Sequence, residues 1–419
     1  MSGINKRGVI PAVTAAGFCI LFVGALIIGA LLTHPGVFSA RGEEKPDEVR
    51  DSLISVMISE GREIAGVYVA SVGNINYPEK QGLSDRELIS GIDSIIATCL
   101  KAGLNTIVFQ VRPASDSLYR STVFPSSAYV TGIQGKAPGV DILAKLVERA
   151  HTEGIAVIAW VNPLRVVKGA AFALSPSNPA SVHPEYTVTY AGTVMFDPGI
   201  PEVRALVARG CAEIAAGYDV DGILFDDYFY PYPSDGERFE DDLTYTRYGE
   251  GKPIDVWRRN NVDSLVKESY DAIKSVRPEC LFGIAPFGIW SNDDGKNGGS
   301  DTRGLDAYNE IFCDALAWAE GGYVDFLAPQ IYWSFDHPSA PYGVLAKWWS
   351  EKLGSTDVAL LSSNAAYKVS EWSDPEELKK QVEFCREVGG YAGCLFYSYA
   401  AFRDDERDII SCISSAFSE

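Results

Sequence analysis

The chain is short of positive charge, nearly devoid of histidine and without a cysteine motif, and each shortage removes a class of function. Its 36 Lys and Arg stand against 56 Asp and Glu, for a net charge of −20. A chain of that sign has no basic surface with which to neutralise phosphates, so no nucleic-acid partner is expected and an uncharged substrate fits better. Only four histidines occur in 419 residues, none at ligand spacing, which argues against a zinc site. The eight cysteines include no C-x-x-C, and most sit in apolar surroundings as small core residues. No metal and no cofactor are implied. Also missing is the Gly-rich turn that would open a dinucleotide-binding sheet.

What is present begins with a targeting signal. Lys6 and Arg7 precede an uncharged run over residues 8–33, longer than the roughly 20 residues a hydrocarbon core requires. The positive flank on the N-terminal side predicts a cytoplasmic stretch 1–7, a single-pass membrane anchor 8–33 and an extracytoplasmic remainder. Phe38-Ser39-Ala40 is a poor cleavage site, and the run exceeds an h-region of roughly 7–15 residues, so a retained anchor is expected. Residues 34–62 are polar and read as a linker, leaving 63–419 as the folded domain.

From Gly66 onward, short runs rich in β-branched and aromatic residues alternate with helical patterns. Eight such runs are legible: 66–71, 106–111, 156–161, 222–225, 281–285, 324–328, 358–362 and 393–397. Between them Leu88, Ile92, Ile95 and Ile96 recur at helical spacing after a Ser84–Glu87 capping signature and stop at Gly103. Similar patterns cover 143–154, 203–217, 261–273, 307–318 and 375–388. Eight strands alternating with helices over about 340 residues predict an α/β fold, a (β/α)8 TIM barrel. Two connections, 166–200 and 230–256, are too long to be plain turns, and Thr187 to Phe196 reads as a hairpin. Long loops in compact domains are usually functional or disordered, and both of these lie on the same rim.

In a barrel the chemistry belongs at the carboxyl ends of the strands. Those ends supply Gln110, Arg112, Asn162, Arg165, Asp226, Asp227, Tyr228, Trp290, Gln330, Tyr332, Trp333, Asn364 and Tyr397. Amides, arginines and aromatic rings in that density suit a sugar, whose hydroxyls need both donors and acceptors and whose ring faces stack. The carboxylates discriminate further. Ordinary glycoside hydrolysis uses two carboxylates on either side of the bond, yet no glutamate ends any strand, and the seventh closes in Ser362-Ser363-Asn364. Asp226 and Asp227 stand together, with Asp116 and Asp336 as loop candidates. Neighbouring carboxylates suit a sugar whose own 2-acetamido oxygen attacks the anomeric carbon. One carboxylate then orients the amide while the other, its proton held by like-charge repulsion, acts as general acid. Asp227 is assigned as the acid and Asp226 as the orienting or nucleophilic partner.

Several stretches in order resemble one family: Phe109-Gln110-Val111-Arg112-Pro113, Trp160-Val161-Asn162-Pro163, Asp197-Pro198-Gly199, Phe225-Asp226-Asp227-Tyr228, Pro286-Phe287-Gly288-Ile289-Trp290 and Ala328-Pro329-Gln330-Ile331-Tyr332-Trp333. By these the chain is similar to the bacterial glycosyl-hydrolase-like family 10 from about residue 65 to its end. The resemblance implies a glycosidase-like barrel and an O-glycosyl hydrolase acting on an amino-sugar polymer, with peptidoglycan glycan strands stripped of peptide as the substrate class. Tyr68 and Asn76-Tyr77-Pro78 depart from the commoner Trp and Asp-Trp-Pro of that family. The rival reading is a cell-wall glycan-binding protein that uses the same cleft without catalysis.

Overall fold

The computed structural model describes residues 52–169, 171–296 and 298–417. Its strands are β1 (Ile64–Val69), β2 (Thr106–Arg112), β3 (Ala156–Val161), β4 (Arg165–Lys168), β5 (Thr187–Tyr190), β6 (Thr193–Phe196), β7 (Gly222–Phe225), β8 (Leu281–Ile284), β9 (Phe326–Leu327), β10 (Gln330–Ile331), β11 (Ala359–Asn364) and β12 (Tyr391–Phe396). Parallel pairing runs β1–β2–β3–β7–β8–β9–β11–β12 and returns from β12 to β1, closing an eight-stranded barrel. The sixth barrel strand is split: Pro329, with no N–H to give a ladder, separates β9 from β10, which pairs onward with β11.

Burial on both faces explains the uninterrupted apolar runs. Alternate residues fill the barrel, among them Tyr68, Val108, Ile158, Trp160, Leu224, Leu361 and Leu395. Their neighbours Ile107, Phe109, Val157, Ile223 and Phe225 face outward to the helices. The helix Asp85–Ala102 carries the expected capping box, Ser84 with Glu87, and ends at Gly103 with φ 70°. One predicted helix breaks: 307–318 is two short helices, Ala307–Glu310 and Ala315–Glu320. Phe312 between them adopts φ 57°, and its ring packs on Tyr230 and under Arg258. The helix Tyr342–Leu353 was not among those expected, although its buried Tyr342, Leu345, Ala346, Trp349 and Leu353 keep helical spacing.

At the amino end of the barrel the helix Leu53–Ser59, within the stretch read as linker, inserts Ile54 and Met57 into the interior cluster. Asp221 fastens it by accepting from Leu53 N at 2.6 Å, and its second oxygen accepts from Val157 N at 2.8 Å. The expected hairpin is present as β5–β6, and with β4 it forms an antiparallel sheet of three strands on the long connection after β3.

The membrane localisation expected from the sequence is corrected. Among the described residues no helix is long and apolar enough to cross a membrane. The run 8–33 on which that expectation rested lies outside the described residues.

Candidate active site

The chain leaves the barrel at Phe225, and the next two residues supply the carboxylates. Both are almost sealed from solvent, Asp226 at 5% and Asp227 at 2% relative exposure. They are partnered differently. Asp226 Oδ2 accepts from Trp160 Nε1 at 2.9 Å and from Asn162 Nδ2 at 3.1 Å, both carried by or just beyond β3. Its Oδ1 faces the Tyr228 amide at 3.4 Å. Asp227 accepts from the Tyr232 hydroxyl and lies against the Gln330 side chain, whose Nε2 also donates to Ala285 O at 2.8 Å.

The electrostatics follow from burial first. Desolvation pushes the Asp226 carboxyl up to about 7; Arg165 pulls it down, and the neighbouring Asp227 pushes it up again. Burial raises Asp227 as well, while its bonds from Tyr232 and Gln330 oppose the rise. Two such groups titrate as a unit. Of the two, Asp226 is the one pushed further toward holding its proton, because burial and the neighbouring carboxylate act together on it.

An aromatic wall stands over the pair. Tyr68 meets Trp160 edge-on at 5.7 Å and Tyr397 at 5.9 Å, and its hydroxyl lies 2.7 Å from Ser363 Oγ. Tyr332 stacks on Tyr397 at 6.0 Å, and Tyr367 meets both edge-on. On the other side Tyr228, 37% exposed, carries the Arg165 guanidinium 4.6 Å above its ring. Tyr68 and Trp160 are buried beneath, whereas Tyr228, Tyr332, Tyr367 and Tyr397 keep part of their surface open, and such rings beside desolvated carboxylates can hold a pyranose near a proton donor.

Asn162, Arg165, Tyr228, Gln330, Tyr332 and Tyr397 therefore converge on the pair. Trp333 joins through Phe287, which contacts both it and Tyr232. Four residues predicted to bind substrate do other work. Gln110 is fully buried, its Oε1 accepting from Ser71 N and Val72 N to hold the loop after β1. Asn364 alternates with the inward Ser363 and so faces outward, bonding Tyr342 and Gln381. Trp290 donates to Asp314 and stacks on Trp348. Arg112 is displaced by a shift in register between Gln110 and Arg112, which changes the phase of the strand. Its guanidinium lies behind the barrel, over Phe124 at 4.2 Å, donating to Pro163 O at 2.8 Å. Of the two loop carboxylates, Asp116 is buried against Ala128 N and Gln134, and Asp336 is exposed.

Gly210 makes room for Arg112, since a Cβ there would stand 2.7 Å from the Phe124 ring and 3.0 Å from Arg112 Nη1. Gly210→Ala is expected to cost about 1–3 kcal/mol by overpacking, despite the better helix propensity of alanine, and urea denaturation would read it. An unchanged midpoint would mean that the buried guanidinium moves freely.

Sequence reasoning missed Trp160 and Tyr232, which bond the two carboxylates. Trp160 was legible, because it shares its phase with the inward Ile158. Tyr232 sits in an irregular loop, where no periodicity tells which way a side chain points.

A groove of about 850 Å³ opens at the opposite end of the barrel beside Ser55, Tyr270 and Ala359. It is remote from the carboxylates, and barrel chemistry sits at the strand carboxyl ends.

Residues 63–380 match the family profile described as glycosyl hydrolase-like 10. The chain is 39% identical over 347 residues to glycosyl hydrolase YngK of Bacillus subtilis, covering 80% of this chain and 68% of that one. It is 36% identical over 365 residues to glycosyl hydrolase DigH of Escherichia coli K12, covering 79% and 82%. Among solved structures it is similar to the PgaB glycoside hydrolase domain of Bordetella bronchiseptica, with TM-score 0.56 at 15% identity over 84% of this chain and 97% of that one. An endo-1,4-β-mannanase from Rhizomucor miehei gives 0.52 at 12% identity over 85% and 94%. At such identities these two likenesses speak for the fold alone.

Proposed function

Because the chain belongs to the glycosyl hydrolase-like 10 family, we propose that it hydrolyses glycosidic bonds of a 2-acetamido-sugar polymer, peptidoglycan glycan strands stripped of peptide, by substrate-assisted catalysis. The observation that carries this reading is the pair of adjacent, desolvated carboxylates with separate sets of donors. Asp226, fixed by Trp160 and Asn162, accepts the N–H of the acetamido group. The acetamido carbonyl oxygen then attacks the anomeric carbon as the bond to the leaving oxygen breaks. Asp227 gives its proton to that oxygen. Water opens the resulting oxazolinium ring, and Asp227 takes a proton from it.

The unliganded pair leans the wrong way for this, with its proton toward Asp226. Docking corrects it: an amide N–H donated to Asp226 favours that carboxylate as the anion and sends the proton to Asp227. Binding thus arms the acid.

Mass spectrometry of products from peptide-free glycan strands tests the reading. Oligosaccharides with new reducing ends are expected from the wild type. Retention of strands without any cleavage would replace hydrolysis with glycan binding, and full activity on a polymer lacking the 2-acetamido group would remove the substrate-assisted step.

Tyr232 is a positioning residue in this scheme. Its hydroxyl, whose own proton is held tightly by burial and by Asp227, occupies one oxygen of Asp227 and leaves the other for the proton in transit. Tyr232→Phe is expected to raise the basic limb of the kcat/KM profile and to lower kcat by about tenfold, the worth of one charge-assisted hydrogen bond. A fall in kcat with an unmoved pH profile would make Tyr232 merely a packing residue.

A further inference from the structure

We infer that the cleft is built to read a carboxylate on the sugar chain, with Arg165 as the principal contact and Lys368 as a second cation. The inference rests on the glycan-hydrolase reading above and names the chemistry of the substrate more closely. Although the chain as a whole carries a net charge of −20, the strand ends around the carboxylates bring cations to the cleft.

Arg165 stands at the start of β4, half-buried, with its guanidinium lying 4.6 Å above the exposed ring of Tyr228. Nη1 donates to Pro113 O at 3.2 Å. Among the described residues the guanidinium has no other hydrogen-bond partner and forms no ion pair. A cation held flat by a ring face and one backbone carbonyl keeps a bidentate edge available, and that edge matches a planar carboxylate. Lys368 repeats the device beside Tyr332 and Tyr367. Its Nζ donates to Tyr332 O at 2.9 Å and lies 5.6 Å from the centre of the exposed Tyr367 ring, again with no ion pair among the described residues. Tyr397 and Tyr367 link the two stations. Tyr397 feels the charge of both Asp226 and Arg165, and its ring meets Tyr367 at 5.8 Å.

The alternative use of Arg165 is to offset the carboxylate pair, which it does in part. Among the described residues the guanidinium makes no hydrogen bond or ion pair to either aspartate, and Lys368 adds a second positive charge. A single planar anion is the matching ligand, since a dianionic phosphate would bring more charge to the buried aspartates than these two cations offset. On a peptide-free strand that anion is an ether-linked carboxylate borne by one sugar. A peptide bonded to that carboxyl would abolish its charge.

The test uses the full chain carrying Asp227→Asn, so that binding is measured without turnover. The probes are a 2-acetamido disaccharide with a lactyl ether carboxylate and the same disaccharide as its carboxamide. Calorimetry is expected to show the carboxylate bound about tenfold more tightly or better, as one hydrogen-bonded charge pair provides. The preference should shrink as salt is raised. Arg165→Gln should abolish the preference, Arg165→Lys should restore part of it, and Lys368→Gln should reduce it. Equal affinity for the two probes overturns the inference. So does an Arg165→Gln variant that, with unchanged melting temperature, loses affinity equally for both. The outcomes separate from those above: a carboxylate preference without cleavage of strands by wild type would sink hydrolysis and keep this inference, and cleavage with no preference would do the reverse.

Discussion

Asp227→Asn is expected to lower kcat on peptide-free glycan strands by about 10²–10⁴-fold, the usual contribution of a general acid. The size of the loss must depend on the leaving group. A sugar hydroxyl departs as a strongly basic alkoxide unless it is protonated, whereas a nitrophenol departs readily as its anion. An aryl 2-acetamido glycoside should therefore be spared most of the loss suffered by the polymer. Asp226→Asn should damage both substrates alike, because the acetamido oxygen must attack the anomeric carbon as either group departs. The two variants thus give different patterns across a pair of substrates, which global damage to the fold would not. Equal losses on polymer and aryl glycoside for Asp227→Asn would remove it from the acid role. Exchange of the two patterns would instead make Asp226, the group that holds the proton in the free site, the acid.

Asp226→Asn is also expected to stabilise the protein, and to do so only at higher pH. The sign follows from the shift. Burial raises the folded-state pKa of Asp226 to about 7, against an unfolded value of roughly 3.9. Between those values the native state binds more protons than the unfolded chain, so stability falls as pH rises. Below the unfolded value the carboxyl is protonated in both states and costs nothing. Above about 7 it is ionised in a site that disfavours the charge, and the penalty is complete. Asparagine, neutral throughout and of nearly the same shape, removes that penalty. The variant should match wild type near pH 4 and exceed it at pH 8 by an amount on the order of a few kcal/mol. Thermal unfolding at the two pH values measures it. A variant less stable than wild type at pH 8 would mean that the bonds from Trp160 and Asn162 outweigh desolvation. That active residues lower stability is an expected trade in enzymes.

How much of this was legible beforehand can be judged residue by residue. The eight strands could be read because each is buried on both faces, which leaves a run of β-branched and aromatic residues whatever the neighbours are. The helix after β1 could be read because its cap and stop are local chemistry: Ser84 and Glu87 exchange bonds over three residues, and Gly103 takes a left-handed turn. The adjacent aspartates at the end of β7 needed no structure to be noticed. Trp160 obeys the same alternation that turns Ile158 inward, two residues further along β3.

Other features needed the tertiary structure. The predicted role of Arg112 failed because of one irregularity in pairing between β2 and β3, and nothing in the run Phe-Gln-Val-Arg announces a bulge. The break at Phe312 is made by Tyr230 and Arg258, which come from elsewhere in the chain. Tyr232 reaches Asp227 from a loop whose path is set by Phe287 and Tyr228. By itself the sequence determined the barrel, its order and the strand that carries the carboxylates, since periodicity and local capping are properties of neighbouring residues. Tertiary structure alone decided which polar ends turn toward the cleft, which aspartate burial raises further, and where Arg165 and Lys368 stand without an ion pair among the described residues. Those depend on side chains that meet across hundreds of residues and on water being driven out between them.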